Sequence, residues 1–383
     1  MEFVSAASWA FRLAPARDET LHDGAGGGAR GVRGRGEGRA AATLEGMTVT
    51  APRLPDAALA HWDLGQIYQM QRVQTGLMNR SWRVDTSSGS YLLKLFRDVT
   101  GPELQFQFHV LQTLGASGVP VVLPVFSRDG RSTIFLEGEE FGVFPWVGGR
   151  HRSGLSMSRD ACRDLGSVIG RLHRTLHASI PADRAPKLEN PPTTEAALQK
   201  VDRLLELVAA GRGDKTGFEA TAEQTLRLKR GLLVRLGDRR PPDLAPQYTG
   251  YTHGDLHPHN VLHGPDDRIS AILDWDRLTV SSYAREMARA AVFYFTYGDE
   301  RGLDCDRIRA FAGGYRSVFD VGEPEIGLAT HQLWWDRLTD NWVIEWHYVR
   351  HNSACDHLLP GQTGLVKWWT IHYSQVEQSL MGR

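Results

Sequence analysis

The chain has 383 residues, of which 41% are hydrophobic and 23% charged, so it is long enough to bury a large core and to fold as two lobes or domains. Lysine and arginine total 44 against 45 acidic residues, and this balance excludes a general electrostatic attraction to nucleic acid or to a membrane surface. Three separate cysteines argue against a disulfide scaffold and favour a reducing cytoplasm, and no run reaches the roughly 18 apolar residues of a membrane span.

Residues 1–46 differ in composition from the rest of the chain. The stretch GAGGGARGVRGRGEGR, at 24–39, supplies glycine and arginine but almost nothing to bury, so a disordered extension is predicted. An RNA-binding tail is the alternative, but the stretch lacks interleaved aromatic residues. Met47 directly precedes the first sequence that looks folded, which favours a dispensable extension.

Residues 61–146 are predicted to form a small, mostly antiparallel β lobe with one helix. QRVQTGLMNRSWRVDTSSGSYLLKLF, at 71–96, has the alternation of two or three strands joined by turns. PELQFQFHVLQTLGASG, at 102–118, has apolar residues at helical spacing and predicts a helix that closes at Gly115. A further strand region is expected through VPVVLPVF and FLEGEEFGVFPW.

Residues 147–383 are predicted to form a larger, mainly helical lobe, which makes the fold class α+β. DACRDLGSVIGRLHRTLH, TTEAALQKVDRLLELVAAG and EQTLRLKRGLLVRLG have helical periodicity, with Thr193 or Thr194 expected to cap the second and Pro241 to end the third. An aromatic stripe near the C-terminus is expected to pack in a core rather than to line a ligand pocket. Its members are Trp334, Leu338, Trp342 and Trp346.

The stretch HGDLHPHNVL, at 253–262, has three histidines, an aspartate and an asparagine within eight residues. The spacing of His253, His257, His259 and His263 would suit a zinc site if a helix or strand ran through them. Pro258 breaks such a helix, and no cysteine or further ligand set follows. The stretch is therefore predicted to be a loop.

A second segment, ILDWD at 272–276, completes a pattern with this loop. Asp255, Asn260 and Asp274 have the order of a kinase catalytic loop followed by its metal-binding aspartate. Magnesium prefers oxygen ligands and keeps several waters, so Asn260, Asp274 and the phosphates of ATP are enough to hold it. Asp255 then remains to orient and deprotonate an acceptor hydroxyl.

Together the two segments resemble the aminoglycoside phosphotransferase family and the homoserine and choline kinase-like enzymes, the small-molecule relatives of protein kinases. The resemblance covers residues 61–383 and implies a protein kinase-like fold of two lobes. It also implies that ATP and Mg²⁺ are the cofactors, with Asn260 and Asp274 as metal ligands.

The resemblance assigns nucleotide contacts to five positions. TGLMNRSWRV resembles the glycine turn of the family and places Gly76 and Asn79 over the phosphates. Lys94 in YLLKLF matches the strand lysine that holds the α- and β-phosphates, although alone it would equally be a surface lysine. GVFPWVGG resembles the family hinge, so the Phe144 carbonyl and the Trp146 amide are expected to hold the adenine edge.

Other residues near the motif receive weaker assignments. His257 matches a kinase lysine position close to the γ-phosphate, where a protonated imidazole could act. His253 is expected to support the loop. Asp276 points the same way as Asp274 in an extended segment and is expected either to contact a second metal or to serve the structure. Glu286 is expected to be structural only.

One position departs from the family pattern. The strand lysine is usually paired with a helix glutamate, and Gln107 occupies the expected place. Glu103 lies one helical turn earlier on the same face. Three interpretations stay open: Glu103 substitutes, an amide holds Lys94, or the protein is a catalytically weakened relative.

The leading hypothesis is an ATP- and Mg²⁺-dependent phosphotransferase acting on a hydroxyl of a small molecule, such as an antibiotic, an amino alcohol or a related metabolite. Acidic and basic residues mix over 331–357, where the family builds its acceptor site, so a polycationic aminoglycoside is not the automatic choice. The alternatives are a kinase of Ser or Thr in a peptide or protein, and a nucleotide-binding pseudokinase scaffold. The sequence leaves the oligomeric state open.

Overall fold

The structure is a computed structural model that describes residues 54–73, 80–186, 190–210 and 217–383. The predicted extension at 1–46 and the turn with Gly76 and Asn79 lie outside these ranges. Within them, every helix is too short or too polar to span a bilayer.

The N-terminal part of the chain forms a five-stranded antiparallel sheet with two helices. The elements are α1 (Leu54–Leu59), β1 (Ile67–Val73), β2 (Arg80–Thr86), β3 (Gly89–Phe96), α2 (Gly101–Ala116), β4 (Ile134–Leu136) and β5 (Glu139–Pro145). The strand order is β1-β2-β3-β5-β4, so β3 lies at the centre and contacts β2 and β5.

The sequence pattern predicts most of this lobe but misses α1, which lies before the predicted start of the lobe at residue 61. The strands β2 and β3 lie within 71–96, as the alternation predicts, whereas β1 begins four residues earlier, at Ile67. Helix α2 extends one residue beyond the predicted end at Gly115. The expected strand VPVVLPVF forms only isolated bridges, from Val121 and Val125. Pro120 and Pro124 explain the difference, because neither has an N–H to donate to a ladder.

The remainder of the described chain is mainly helical. Its elements are α3 (Arg159–Ser179), α4 (Thr194–Ala210), α5 (Phe218–Leu236), β6 (Thr249–Thr252), β7 (Val261–His263), β8 (Ile269–Ile272), β9 (Thr279–Ser282), α6 (Tyr283–Phe295), α7 (Cys305–Arg316), α8 (Glu323–Thr339), α9 (Trp342–Tyr348), α10 (Leu359–Ile371) and α11 (Tyr373–Leu380). The bilobal α+β architecture predicted from the sequence is confirmed.

The three predicted helices correspond to α3, α4 and α5, with small differences at their ends. Thr193 caps α4, since its hydroxyl accepts from the Ala196 amide at 3.1 Å. Thr194 instead donates to the carbonyl of Gly237, where α5 has just ended. Helix α5 ends at Leu236, and a 3₁₀ turn over Gly237–Arg239 lies between this end and Pro241.

The aromatic stripe does not lie on one helix. Asp340 is extended and its carboxylate accepts from the Trp342 amide at 3.1 Å, so α8 ends and α9 begins within the stripe. Trp334 is fully buried, which confirms the core prediction for that residue. Trp342 and Trp346 are only partly buried.

Two hydrophobic cores position the site. One lies beneath the sheet and includes Leu93 and Phe141. The other runs through the helical part and also takes in Leu104 and Phe108 of α2. Because α2 packs with the helical core, it fixes the sheet relative to the loops that follow β6 and β8.

Candidate active site

A short hairpin brings the two motif segments together. β7 and β8 pair antiparallel, with Val261 opposite Ile272, and the Leu273 amide donates to the Asn260 carbonyl at 2.8 Å. The end of the histidine-rich loop therefore lies beside Asp274, as a metal site built from Asn260 and Asp274 requires.

The side chains of Asn260 and Asp274 have the properties of ligands for a hard cation. Asn260 is buried and donates Nδ2 to the Asp255 carbonyl at 2.8 Å, so Oδ1 is the atom that remains to bind a cation. Asp274 has a φ of 59°, in the left-handed region that non-glycine residues rarely adopt, and its side chain is 55% exposed.

Lys94 crosses from the sheet to the second motif. Its ammonium donates to both oxygens of Asp276, at 2.8 and 2.7 Å, and lies 3.7 Å from Oδ1 of Asp274. The interpretation as a surface lysine is thereby excluded. In the described chain neither Glu103, which is exposed, nor Gln107, which is buried in α2, pairs with it.

The charges around Lys94 favour an additional cation. Partial removal of the Asp274 carboxyl from water raises its pKa, and the Asp276 carboxylate raises it further, while Lys94 opposes both effects. The ranges that the structure describes hold no group of three His, Cys, Asp or Glu side chains placed for a metal. One amide and one carboxylate nevertheless fit Mg²⁺, which completes its shell with phosphate oxygens and water.

Asp255 lies in a basic surrounding. Arg289 donates to its Oδ1 at 2.9 Å, while Arg277 Nε and His257 Nε2 lie 3.7 and 3.6 Å from Oδ2. Burial would raise the pKa of Asp255, but His257 and Arg289 outweigh it and hold the pKa well below its usual value. The group therefore stays an anion that accepts hydrogen bonds.

His257 has a defined tautomer in this arrangement. Its Nδ1 accepts from the His259 amide at 3.2 Å, so the proton of a neutral ring is on Nε2, which faces Asp255. The ring is buried. A role close to the γ-phosphate stays a prediction.

His253 supports the loop, as expected. It is fully buried, and its Nδ1 accepts from the Asp255 amide at 3.2 Å, while Nε2 donates to the Leu273 carbonyl at 2.8 Å. The same imidazole thus ties the loop to the segment before Asp274. Gly254 allows the close turn, because a Cβ there would lie 2.0 Å from the Arg277 carbonyl oxygen.

Glu286 anchors this loop from α6. Its carboxylate accepts from the amides of His253 and Gly254, at 3.0 and 2.5 Å, and from Nε2 of His173 at 2.9 Å. The other ring nitrogen of His173 accepts from the Tyr315 hydroxyl at 2.9 Å. Burial opposes ionisation of Glu286, yet the bond from His173 and the neighbouring groups lower its pKa.

The hinge has one feature that the resemblance does not predict. The Trp146 amide donates to the Ser90 carbonyl at 2.9 Å and extends the pairing of β3 with β5. Phe144 lies opposite Leu92 in that ladder. In this structure the Trp146 donor is therefore engaged in the sheet and not free for adenine.

Sequence reasoning missed Arg277, Arg289 and His173. Arg289 lies three residues after Glu286, on the same face of α6. That spacing was a usable signal, but its meaning depends on the loop that packs against the face. Nothing local marks Arg277 or His173.

Lys94 extends from a small sheet towards the loop that bears Asp274, which lies in the helical lobe beside the loop that bears Asp255. This arrangement defines a kinase-like class of protein. Residues 69–319 match the phosphotransferase enzyme family, and the chain belongs to that family. The resemblance inferred from the two motifs is confirmed, and the chain is a phosphotransferase that acts on a hydroxyl group of a small molecule.

Relatives and solved structures agree with this assignment. Homoserine kinase of Neisseria meningitidis serogroup B is 25% identical over 267 residues, covering 70% of this chain and 79% of that protein. An aminoglycoside phosphotransferase from Alicyclobacillus acidocaldarius has a TM-score of 0.58 at 15% identity, covering 88% and 96% of the two chains. Amicoumacin kinase in complex with AMP-PNP and Ca²⁺ has a TM-score of 0.53 at 16% identity, covering 85% and 92%. At these identities the two structures establish the fold alone.

Proposed function

We propose that this protein uses ATP and Mg²⁺ to phosphorylate a hydroxyl of a small molecule. One observation carries the proposal: Lys94, from β3, lies 3.7 Å from Asp274, while Asn260 and Asp255 are joined to the same loop system by short hydrogen bonds. Residues far apart in sequence thus supply a cation for phosphates, two oxygen ligands and a carboxylate within one region.

The nucleotide is assigned to the side of the site that faces the sheet. Lys94 would hold the α- and β-phosphates, and Asn260 Oδ1 and the Asp274 carboxylate would hold Mg²⁺. The ion, when bound, neutralises charge on the phosphates. The amicoumacin kinase complex, which contains AMP-PNP and Ca²⁺, supports a nucleotide with a divalent ion in this fold.

The adenine and loop contacts are less direct. Phe144 keeps its proposed role on the resemblance alone, because the register that bonds Trp146 to Ser90 also directs the Phe144 carbonyl at Leu92. Trp146 must release Ser90 before its amide can donate to adenine. Gly76 and Asn79 are proposed to cover the phosphates on the resemblance alone.

Asp255 is assigned to the acceptor. Its carboxylate accepts a hydrogen bond from the acceptor hydroxyl and aims that oxygen at the γ-phosphorus. The new P–O bond forms as the bond to the β-phosphate oxygen breaks, and ADP leaves. The hydroxyl proton passes through Asp255 to solvent, because His257 and Arg289 keep the pKa of Asp255 too low for it to hold the proton.

The pseudokinase alternative is based on Gln107, and the contacts of Lys94 do not support it. Asp276 already holds the lysine, so the amide at Gln107 removes no partner that Lys94 needs. No contact in the described chain favours the peptide-kinase alternative, and the small-molecule family argues against it.

An Asp255→Asn variant tests the proposal. Transfer of the γ-phosphate should fall by about 10²- to 10⁴-fold, with little change in the affinity for ATP. Asp266→Asn is the matched control, because Asp266 is an exposed aspartate of the turn between β7 and β8. Equal turnover in the two variants would remove Asp255 from the reaction, and an absolute lack of transfer by the unaltered protein would reject the function.

A further inference from the structure

Arginines from α6 and α8 converge beside Asp255, and we propose that they bind a carboxylate of the acceptor, which would be a hydroxy acid or hydroxy amino acid. The inference rests on the proposed function, because it names the substrate class of the same site. Aminoglycosides and choline are cations, so this choice separates the chain from those acceptors.

The first support is the position of Arg289. It donates to Oδ1 of Asp255 at 2.9 Å and so lies beside the carboxylate to which the acceptor hydroxyl is proposed to bind. Arg285, one helical turn earlier on the same face of α6, donates to Asp336 of α8 at 2.5 Å. The pair links α6 and α8 next to the reacting centre.

Phe293 marks the centre of the cluster. The guanidinium carbons of Arg289 and Arg337 lie 4.6 and 5.6 Å from the centroid of its ring, on which guanidinium groups stack well. The ring of His257 lies 6.3 Å from the same ring. Phe293, Arg289 and Arg337 each keep some solvent-accessible surface.

The charges of the cluster favour an anion. Burial lowers the pKa of Arg337; Asp340 and Asp336 oppose this, but Arg289 and Arg285 reinforce it. Arginines held close together repel one another, and a carboxylate among them relieves the repulsion while matching the fork of a guanidinium.

The carboxylate of Asp255 does not prevent this. Arg289, Arg277 and His257 surround it, so its negative charge is already compensated where the acceptor enters. A neutral hydroxyl can approach Asp255 while an anionic group of the same molecule lies against Arg289 and Arg337.

Four acceptors separate the groups that matter: L-homoserine, 4-hydroxybutyrate, 3-aminopropan-1-ol and propan-1-ol. They place the same terminal hydroxyl on a molecule with or without a carboxylate and with or without an amine. The two carboxylates should have a kcat/KM at least about tenfold above that of their partners without one, since a charged hydrogen-bonded contact is lost in the latter.

Arg337→Gln should raise the KM for the carboxylate acceptors by about 10- to 100-fold and leave the KM for ATP unchanged. Arg337→Lys keeps the charge but not the fork, so it should have a smaller effect and also covers the case in which the glutamine variant fails to fold. Arg227→Gln is the control, because Arg227 is an exposed arginine of α5 that pairs with Glu223.

A binding measurement keeps the two proposals distinguishable. With a non-hydrolysable ATP analogue present, 2-aminobutyrate, which is homoserine without its hydroxyl, should raise the melting temperature of the unaltered protein but not that of Arg337→Gln. Faster transfer to the acceptors without a carboxylate would overturn this inference and leave the phosphotransferase function standing. If none of the four is phosphorylated, stabilisation by 2-aminobutyrate supports the carboxylate site, and its absence overturns it.

Discussion

Replacing Glu286 by glutamine should loosen the loop that bears Asp255. The buried carboxylate accepts from the amides of His253 and Gly254 and from the ring of His173. A glutamine has one oxygen to accept with, so its NH₂ group must face a donor. One charge-assisted bond worth about 1.5–3 kcal/mol is lost, and a buried donor costing about 1–3 kcal/mol is left unsatisfied. Together these lower the free energy of unfolding by roughly 2.5–6 kcal/mol.

The same substitution should reduce turnover. Gly254 directly precedes Asp255, so a displacement of the loop by about 1 Å moves the carboxylate and should lower kcat by about 100-fold. Lys94 lies on β3, outside this loop, so the KM for ATP should change little. The pKa of Glu286 is lowered in the folded protein, so the ionised carboxylate stabilises the fold above its unfolded-state pKa, and this stabilisation is lost as the pH falls. In Glu286→Gln this contribution to the decrease of the free energy of unfolding at acidic pH should be absent.

Urea unfolding and steady-state kinetics measure both effects. Glu206→Gln is the matched control, because Glu206 is an exposed glutamate of α4. If Glu286→Gln unfolded at the urea concentration of that control and kept its kcat, the carboxylate would not be what positions the loop.

Two further predictions concern lysines. Lys94→Met removes the ammonium that binds Asp276 and should raise the KM for ATP at least about tenfold. Added Mg²⁺ should restore only part of the ATP affinity, because the metal cannot replace the contact between Lys94 and the phosphates. Unchanged ATP kinetics would contradict this prediction. Lys229 is buried and donates to the carbonyl of Asp340. Burial lowers its pKa from 10.5 to about 8, so the unfolded chain binds more protons between these values and the free energy of unfolding should rise by about 2 kcal/mol from pH 8 to pH 10. Denaturant unfolding of Lys229→Met at both pH values should show a rise in the free energy of unfolding that is smaller by about 2 kcal/mol than in the unaltered protein. An equal rise in the two proteins would refute the prediction.

The sequence predicts those parts of the site that are adjacent along the chain. Asp255 and Asn260 share one loop, and Asn260 and Asp274 flank one hairpin, so their relation follows from short-range order. Helical periodicity likewise predicts α3 to α5, and strand alternation predicts β2 and β3.

Partners that are distant in sequence were found only in the structure. For Lys94, local spacing directed attention to Glu103 and Gln107, but its partner Asp276 lies 182 residues away. The arginines around Asp255 were missed for the same reason, since a basic residue on a helix has no special meaning until a loop packs against it.

By itself, the sequence determined the local elements, the order of the catalytic residues and the family, because each depends on residue type and on spacing within a loop, hairpin or helix. The tertiary structure decided which charges meet: Lys94 with Asp276, Asp255 with Arg289, and Trp146 with Ser90. The physical reason is that the packing of α2 onto the helical core sets how the sheet faces the loops, and that packing sums many weak contacts between residues far apart in the chain.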